Sequence, residues 1–173
     1  MTCHQVQNHH GVMMRVNDSG VLIIGKPNIG KSSLALELLH HGYQLIADDS
    51  VEFSLAADNN VIAHCPEMLA GLLHCRDLGL INVSELFGAD AYRHQQKLDC
   101  IIELVQHSNN AVSLTVKPDL YLVCGQSFPT LCLDLNSPAS IVHRLTTWLK
   151  IQSSDIHAEV ILHNRQSKQM IIR

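Results

Sequence analysis

The sequence is poor in aromatic residues, in charge and in long apolar runs, and each deficiency excludes a class of protein. Aromatic side chains make up 4% of the 173 residues, too few for the stacking platforms of single-strand nucleic-acid binders. Charged residues make up 16%, and the formal net charge of −4 excludes a strongly basic nucleic-acid surface. No apolar run approaches the roughly 20 residues that cross a membrane. The first eight residues are polar and contain no signal-peptide core, so we expect a cytoplasmic protein.

Cysteine pairing motifs are also absent, although the chain contains six cysteines. There is no CxxC pair, and most of the cysteines stand within apolar runs, so reduced thiols are expected.

Histidine, by contrast, is abundant, because the 12 histidines equal the lysines and arginines together in number. Such a surplus points to metal binding, yet no H-x₃-H or CxxC set supplies a coordination shell. Most of the histidines are therefore interpreted as helix-end and surface residues.

With 46% hydrophobic residues, the chain is long enough to form one domain around its own core. Residues 12–16 and 21–24 are predicted to form a hairpin, and residues 43–47 a second buried strand. Helices are predicted for residues 32–41 and 67–73, and for a segment that opens at residues 136–138. Further strands are predicted at residues 51–55, 61–63, 78–83, 98–105, 112–116, 121–124, 131–135, 158–162 and 170–172. We therefore predict one α/β domain with more strand than helix.

Residues 25–32 read Gly-Lys-Pro-Asn-Ile-Gly-Lys-Ser, the G-x-x-x-x-G-K-S pattern of a phosphate-binding loop. The predicted strand before the loop and the predicted helix after it are the context that the pattern requires. Successive backbone N–H groups between the two glycines form an anion-binding nest. Lys31 places a point charge on the β- and γ-phosphates, and Ser32 offers its hydroxyl to Mg²⁺. The candidate nucleotide ligands are Gly25, Lys26, Pro27, Asn28, Ile29, Gly30, Lys31 and Ser32.

Two adjacent carboxylates, Asp48 and Asp49, follow the strand predicted for residues 43–47. In open α/β sheets ligands lie beyond the carboxyl ends of strands, so this pair is expected to face the same crevice as Ser32. One carboxylate is sufficient to hold Mg²⁺, and the second is then a candidate acceptor for the proton of an attacking hydroxyl. The alternative interpretation is a simple turn, because Asp-Asp-Ser is also favourable turn chemistry.

Two longer segments carry a resemblance to a known family. They are GVLIIGKPNIGKSSLALELLHHGYQLIADDSVEF at residues 20–53 and CPEMLAGLLHCRDLGLINVSELFGADAYR at residues 65–93. Together with the pair His10-Gly11, they resemble the catalytic domain of the HPr kinase/phosphorylase family, and a weaker match covers residues 112–148. The resemblance implies an α/β fold with a P-loop kinase core and a mixed sheet, related to that of phosphoenolpyruvate carboxykinase. It also leads us to expect a short form, with one catalytic domain over residues 1–173 and no N-terminal domain.

The resemblance implies an enzyme that phosphorylates a serine of HPr, the small phosphocarrier of the bacterial sugar phosphotransferase system, with ATP and Mg²⁺. Family members also remove that phosphate with inorganic phosphate, which forms pyrophosphate, and they are typically hexamers. The implied partners are therefore HPr or a similar protein and further copies of the chain, without nucleic acid or membrane. The implied site roles are Asp49 as proton acceptor, His10, Lys31 and Arg76 beside the reacting phosphate, and Ser32 as a Mg²⁺ ligand, which leaves Asp48 as the second candidate metal ligand.

Three positions depart from the family pattern and bear on the reaction. His74 stands where the family has a Mg²⁺-binding glutamate, and imidazole is a poor ligand for that hard cation, so Mn²⁺ becomes an alternative. Asp77 replaces a glycine and places a negative charge near the phosphate path. Ala139 replaces the arginine of a loop tied to dephosphorylation. The alternatives to an HPr-type serine kinase are therefore a non-catalytic or regulatory nucleotide-binding module and a kinase with a different acceptor.

Overall fold

The computed structural model describes residues 6–106, 119–154 and 158–171. Within these residues the strands are β1 (Gln7–His10), β2 (Val12–Val16), β3 (Ser19–Gly25), β4 (Gln44–Ala47), β5 (Ser50–Leu55), β6 (Val61–His64), β7 (Leu72–Cys75), β8 (Gly79–Asn82), β9 (Gln95–Lys97), β10 (Cys100–Val105), β11 (Asp119–Val123) and β12 (Gln126–Asp134). The helices are α1 (Lys31–His40), α2 (Val83–Phe87), α3 (Ile141–Gln152) and α4 (Ala158–Ile171). Short 3₁₀ turns lie at Glu67–Leu69 and Ala89–Ala91.

The strands form a six-stranded mixed sheet, a four-stranded antiparallel sheet and a two-stranded hairpin, β7–β8. The order in the large sheet is β11-β12-β10-β3-β2-β4, and that in the second sheet is β1-β5-β6-β9. In the large sheet β10 runs parallel to both β3 and β12, whereas β2 pairs antiparallel with both β3 and β4. Consequently β3, β4, β10 and β12 point in one direction, and their carboxyl ends lie at the same edge of the sheet. That edge holds the segments after β3 and β4, where the phosphate loop and the acidic pair are found.

The large sheet separates two apolar cores, which explains the unbroken apolar run in β3. On one face Ile23 belongs to a cluster with α1 and α3, in which Leu38 and Leu145 are fully buried. On the other face Leu22 belongs to a cluster with the second sheet, including the fully buried Phe53. A strand covered on both faces needs apolar side chains at successive positions. The predicted α/β fold with a mixed sheet is confirmed.

The N-terminal half agrees closely with the predicted elements. Strand β2 spans the predicted residues, and α1 begins one residue before the predicted start and ends at His40. Gly42 lies two residues beyond the helix with φ +81° and donates from its N–H to the carbonyl of Leu39 at 2.9 Å. The strands predicted at residues 51–55 and 61–63 correspond to β5 and β6, which pair antiparallel.

Two predicted helix positions are wrong. Residues 67–73 form only the 3₁₀ turn Glu67–Leu69 and then enter β7, because Gly71 adopts φ +72° and ends any helical path. Helix α3 begins at Ile141, not at residues 136–138, and its N-cap is Ser140, whose Oγ accepts from the N–H of His143 at 3.5 Å. The segment before it is a turn, in which the Asp134 carboxylate accepts from the backbone N–H of Asn136 at 2.9 Å.

The strands predicted at residues 158–162 and 170–172 are also wrong. Helix α4 covers residues 158–171, and residue 172 lies outside the described residues. The segment contains no glycine or proline and is rich in glutamine, lysine, arginine and other good helix formers, which outweighs its short apolar runs. The strand predicted at residues 112–116 lies outside the described residues.

The described cysteines, Cys65, Cys75, Cys100, Cys124 and Cys132, are free thiols. Burial raises the pKa of the Cys100 thiol to about 12 and that of the Cys65 thiol to about 11. Thiols with such high pKa values are neutral at physiological pH and behave as small apolar side chains.

In the three described stretches, no helix has both the length and the apolar character that a bilayer crossing demands.

The segment between β9 and β10 packs against the backbone of Gly20. The Asp99 carboxylate accepts from the N–H of Gly20 at 2.8 Å, and the N–H of Asp99 donates to the Gly20 carbonyl at 2.9 Å. A Cβ at residue 20 would overlap the carbonyl oxygen of Lys97 and lie 2.9 Å from Cε of Met13. This contact joins the first hairpin of the large sheet to the strand that enters its centre.

His9 is half-buried, and its Nε2 atom is buried without a hydrogen-bond partner. Its ring makes edge contacts with Phe53 at 5.4 Å and with Tyr121 at 6.0 Å between centroids. Its Nε2 has no hydrogen-bond partner, and burial lowers the pKa of His9 below its usual value of about 6.5. The unfolded chain therefore binds a proton at His9 more readily than the folded chain does. The contribution of neutral His9 to the free energy of unfolding is fully present above about pH 6.5 and is lost as the pH falls below that value.

We expect His9→Phe to raise the free energy of unfolding by about 1 kcal/mol, because phenylalanine fills the site without burying an unpaired nitrogen. The gain should be larger at pH 5.5 than at pH 7.5, as measured by urea unfolding at both pH values. His143→Phe is the control, because His143 is exposed on α3. An equal gain at both pH values would contradict protonation of His9 as the cause.

Candidate active site

A cleft of about 470 Å³ opens at the edge of the large sheet where β3 and β4 end. It is lined by the phosphate loop, the acidic pair, the end of β1 and the turn of the β7–β8 hairpin. The lining residues are His10, Pro27, Asn28, Gly30, Lys31, Ser32, Ser33, Asp48, Asp49, His74, Arg76 and Asp77. Seven of these side chains are ionisable, so the cleft is shaped for a charged ligand rather than an apolar one.

The phosphate loop turns sharply between β3 and α1. Gly25 has φ +145°, and a Cβ there would lie 2.8 Å from the carbonyl oxygen of Leu104 on β10, so only glycine fits. Lys31 is 7% exposed, and its Nζ donates to the carbonyls of Gly25 and Lys26 at 3.1 Å. The ammonium group is thus held within the concavity of the loop, at the N-terminus of α1, where an anion is favoured.

Five of the predicted loop ligands line the cleft, namely Pro27, Asn28, Gly30, Lys31 and Ser32. Gly25 and Lys26 lie behind them and contact Lys31 through their carbonyls. Ile29 packs against the apolar core instead. Ser33 also lines the cleft and was missed, because the loop pattern assigns no role to the residue after Ser32.

Asp48 is the buried member of the acidic pair, with 6% exposure. Its Oδ1 accepts from the hydroxyl of Ser32 at 3.0 Å, and its Oδ2 accepts from the backbone N–H of His74 at 2.9 Å. Burial raises the pKa of Asp48, while these two hydrogen bonds act in the opposite direction. A cation beside this carboxylate would offset the cost of its burial.

Asp49 is the exposed member, with 72% of its side chain accessible. Its backbone has φ +67°, and the N–H of Ser50 donates across it to the Asp48 carbonyl at 2.8 Å. Across this tight turn the two adjacent carboxylates differ in exposure, because Asp48 is buried and Asp49 is exposed. The acidic pair is therefore a turn, as the alternative interpretation held, and both of its side chains also line the cleft.

His10 lies against Asp49, with 3.0 Å between Nδ1 and Oδ1. Antiparallel pairing of β1 with β5 places His10 opposite Ser50, and the N–H of Gly11 donates to the Asp49 carbonyl at 3.3 Å. One carboxylate oxygen of Asp49 thus contacts the imidazole, and the Asp49 side chain lines the cleft. An imidazole hydrogen-bonded to a carboxylate fixes its orientation for proton transfer.

The β7–β8 hairpin supplies His74, Arg76 and Asp77, all exposed. Arg76 and Lys31 contribute two positive charges to a cleft that is also lined by Asp48, Asp49 and Asp77. This mixture suits a polyphosphate that arrives with a divalent cation. None of residues 134–140 lines the cleft; Arg144 instead donates to the carbonyls of Asp134 at 3.0 Å and Ala139 at 3.1 Å.

The oxygen ligands in the cleft fit a magnesium ion that is held jointly by protein and phosphate. In the described part of the chain, no group of three or more His, Cys, Asp or Glu side chains is placed to hold a metal ion. Mg²⁺ in phosphoryl-transfer sites is commonly held by one or two carboxylates together with phosphate oxygens and water. The hydroxyl of Ser32 and the carboxylate of Asp48, 3.0 Å apart, supply that incomplete set.

A second, smaller pocket of about 210 Å³ adjoins the cleft. Its polar lining is shared with the cleft and consists of Ser32, Asp48, Asp49 and His74. Its remaining walls are Leu69, Leu72 and Leu80. No sequence pattern predicts a role for these leucines, because the proximity of Leu72 and Leu80 depends on the β7–β8 pairing.

Comparison with known proteins gives consistent matches. The family described as HPr Serine kinase C-terminal domain matches residues 2–165. The HPr kinase/phosphorylase of Azoarcus sp. (strain BH72) is 33% identical over 170 residues, which cover 94% of this chain and 54% of that protein. That of Bordetella avium (strain 197N) is 46% identical over 97 residues, which cover 56% of this chain and 32% of that protein. The chain thus spans about half the length, or less, of these curated relatives.

A solved structure shares the fold. The Hpr(Ser) kinase/phosphatase from Coxiella burnetii superposes with a TM-score of 0.78 at 25% identity. The match covers 95% of this chain and 98% of that chain.

Proposed function

This chain belongs to the HPr serine kinase C-terminal domain family, and from that membership we propose that it transfers the γ-phosphoryl group of ATP to a serine of HPr or a similar small phosphocarrier protein. The observation that supports the proposal most directly is the pair His10–Asp49, 3.0 Å apart, in the same cleft as Lys31. The pair supplies an oriented carboxylate, and the loop supplies a phosphate site.

In the proposed forward reaction, the free carboxylate oxygen of Asp49 accepts the proton of the acceptor serine. The serine oxygen then bonds to the γ-phosphorus, the bond from that phosphorus to the β–γ bridging oxygen breaks, and ADP leaves. Lys31 and Arg76 neutralise charge on the transferring group, and His10 keeps the Asp49 carboxylate aimed at the cleft. Mg²⁺ held by Ser32 and Asp48 supplies further charge neutralisation when it is bound. Catalysis is mostly positioning and electrostatics.

The reverse direction is proposed with inorganic phosphate as the attacking group. Asp49 then donates the proton back to the serine oxygen while the phosphoryl group passes to phosphate, which forms pyrophosphate. We further propose, from the family resemblance, one catalytic domain, a homo-oligomeric and hexameric assembly, and the cytoplasm as the compartment that supplies ATP and the phosphocarrier.

Transfer of labelled phosphate from ATP to purified HPr tests the forward reaction. We expect acid-stable label on a serine of HPr, dependent on Mg²⁺ and on the phosphate loop. Incubation of phosphorylated HPr with inorganic phosphate, with pyrophosphate as the readout, tests the reverse reaction. Nucleotide binding without transfer to HPr would contradict the proposed kinase activity and favour a regulatory nucleotide-binding module. The observation that favours this second function is His74 in the cleft, at the position where the family has a Mg²⁺-binding glutamate. Transfer to another protein or small molecule would instead identify a different acceptor.

We expect His74→Glu to lower the Mg²⁺ concentration for half-maximal transfer by about tenfold, because it adds an oxygen ligand beside Ser32 and Asp48. The measurement is a Mg²⁺ titration of initial transfer rates, repeated with Mn²⁺. His94→Glu is the matched control, since His94 is exposed, contacts the Tyr92 ring and does not line the cleft. An unchanged Mg²⁺ requirement in His74→Glu would show that residue 74 does not face the metal.

A further inference from the structure

The smaller pocket beside Asp49 has apolar walls, although it opens into a cleft of charged groups. His74 and Leu80 are directly paired across the β7–β8 hairpin, and Leu72 lies two residues before His74 on the same face. The opposite face carries Leu73 and Cys75, which are buried in the core. The hairpin therefore turns two leucines and one histidine towards the acidic pair.

The exposure of these leucines is unusual for such large apolar side chains. Leu80 is 63% exposed, and Leu69 and Leu72 are only half-buried. Met68, next to Leu69 in the 3₁₀ turn, is 87% exposed. Exposed apolar surface beside a polar site marks a place where a ligand or a protein is bound.

The position of the pocket next to Asp49 indicates which part of the acceptor protein it contacts. In the proposed reaction the acceptor hydroxyl lies within hydrogen-bond reach of the Asp49 carboxylate. Consecutive Cα atoms of a polypeptide are about 3.8 Å apart, so the side chain of a residue next to the acceptor serine can reach the surface around the same carboxylate. The pocket shares Asp49 with the cleft, and its walls include three leucines and no lysine or arginine.

We propose that the pocket formed by Leu69, Leu72 and Leu80 holds an aliphatic side chain adjacent to the phosphorylated serine of the acceptor protein. This inference rests on the proposed kinase function and adds a specificity determinant to it. A volume of about 210 Å³ accepts one leucine, isoleucine or methionine side chain. An acidic residue at that position is disfavoured, because its carboxylate would lose hydration against the walls formed by Leu69, Leu72 and Leu80.

The test compares Leu80→Ala with Leu78→Ala as the matched control. Both leucines are 63% exposed on the same hairpin, but Leu78 lies in the turn and does not line the pocket. The acceptors are HPr and HPr variants in which each residue flanking the phosphorylated serine is replaced in turn by alanine, valine, leucine, phenylalanine and aspartate. Transfer kinetics are measured for every pair at saturating ATP.

With the unaltered enzyme we expect kcat/KM to be highest for an aliphatic residue at one flanking position and lowest for aspartate there. Leu80→Ala should raise the KM for HPr about tenfold with little change in kcat, and should shift the preferred flanking residue towards phenylalanine, because the pocket becomes larger. Leu78→Ala should retain the original preference. The KM for ATP should be unchanged in both variants.

Three results would overturn the inference. If Leu80→Ala leaves both the KM for HPr and the size preference unchanged, the pocket does not contact the acceptor. If it raises the KM for ATP instead, the pocket holds part of the nucleotide. If the unaltered enzyme transfers no phosphate to HPr, the proposed function fails first and this inference with it, which separates that failure from the other two.

Discussion

Replacement of Asp49 by asparagine is expected to lower phosphotransfer by about 10³-fold, because the amide cannot accept the serine proton. Asparagine retains the size of aspartate and tolerates the left-handed φ of +67° at this position, so the turn should persist. His10 can still hydrogen-bond to the amide oxygen. The loss should therefore appear in kcat, whereas nucleotide affinity, measured with a fluorescent ATP analogue, should change little.

The control for charge is Asp77→Asn, which removes a carboxylate from the same cleft. Asp77 has a place near the phosphate path but no assigned proton-transfer role, so its variant should retain most of the rate or gain slightly. If Asp49→Asn transferred phosphate at nearly the unaltered rate, proton acceptance by Asp49 would be refuted and another group would have to take the proton. If both variants lost the rate equally, net charge in the cleft would be the cause.

Gly20→Ala is expected to cost about 4 kcal/mol or more in the free energy of unfolding, at the extreme end of single substitutions. A Cβ at this position meets the Lys97 carbonyl oxygen, a backbone atom that moves only if the whole β9–β10 connection moves. That movement would also break the two hydrogen bonds between Gly20 and Asp99. With total stabilities of about 5–15 kcal/mol, a loss of this size leaves much of the protein unfolded at 37 °C.

Urea unfolding, followed by the fluorescence of the buried Trp148, measures this loss, since the chain contains one tryptophan. Gly42→Ala is the comparison, because Gly42 has φ +81° and no atom within 4 Å of an added Cβ. It should cost only about 1–2 kcal/mol, the penalty for a left-handed backbone at alanine. Equal effects of the two substitutions would contradict the steric explanation for Gly20.

The parts of the site that sequence could predict are those fixed by local spacing. The phosphate-binding motif at residues 25–32 spans the end of β3, a short loop and the start of α1, and both the strand and the helix are visible as sequence patterns. The position of Asp48 and Asp49 at the same sheet edge follows from the strand before them. These predictions need no knowledge of contacts between distant segments.

The difference in burial between Asp48 and Asp49 could not be predicted from the sequence. Their sequence positions are adjacent, and only the turn at Asp49 buries one carboxylate and exposes the other. The family resemblance implied a role for His10, but its 3.0 Å contact with Asp49 depends on the β1–β5 register. The leucine pocket depends likewise on the β7–β8 hairpin, in a region where residues 67–73 were wrongly predicted as a helix.

The parallel pairing of β3 with β10 has a consequence for the order of folding. Cys100 on β10 pairs with Val21 on β3, and Gly20 and Asp99, which bond beside them, are 79 residues apart in the chain. Contacts between such distant segments form slowly, because a long loop must close before they are made. We therefore expect refolding chains to regain helix signal early and ATP binding late, after the strands from β4 to β9 have returned the chain to Gly25.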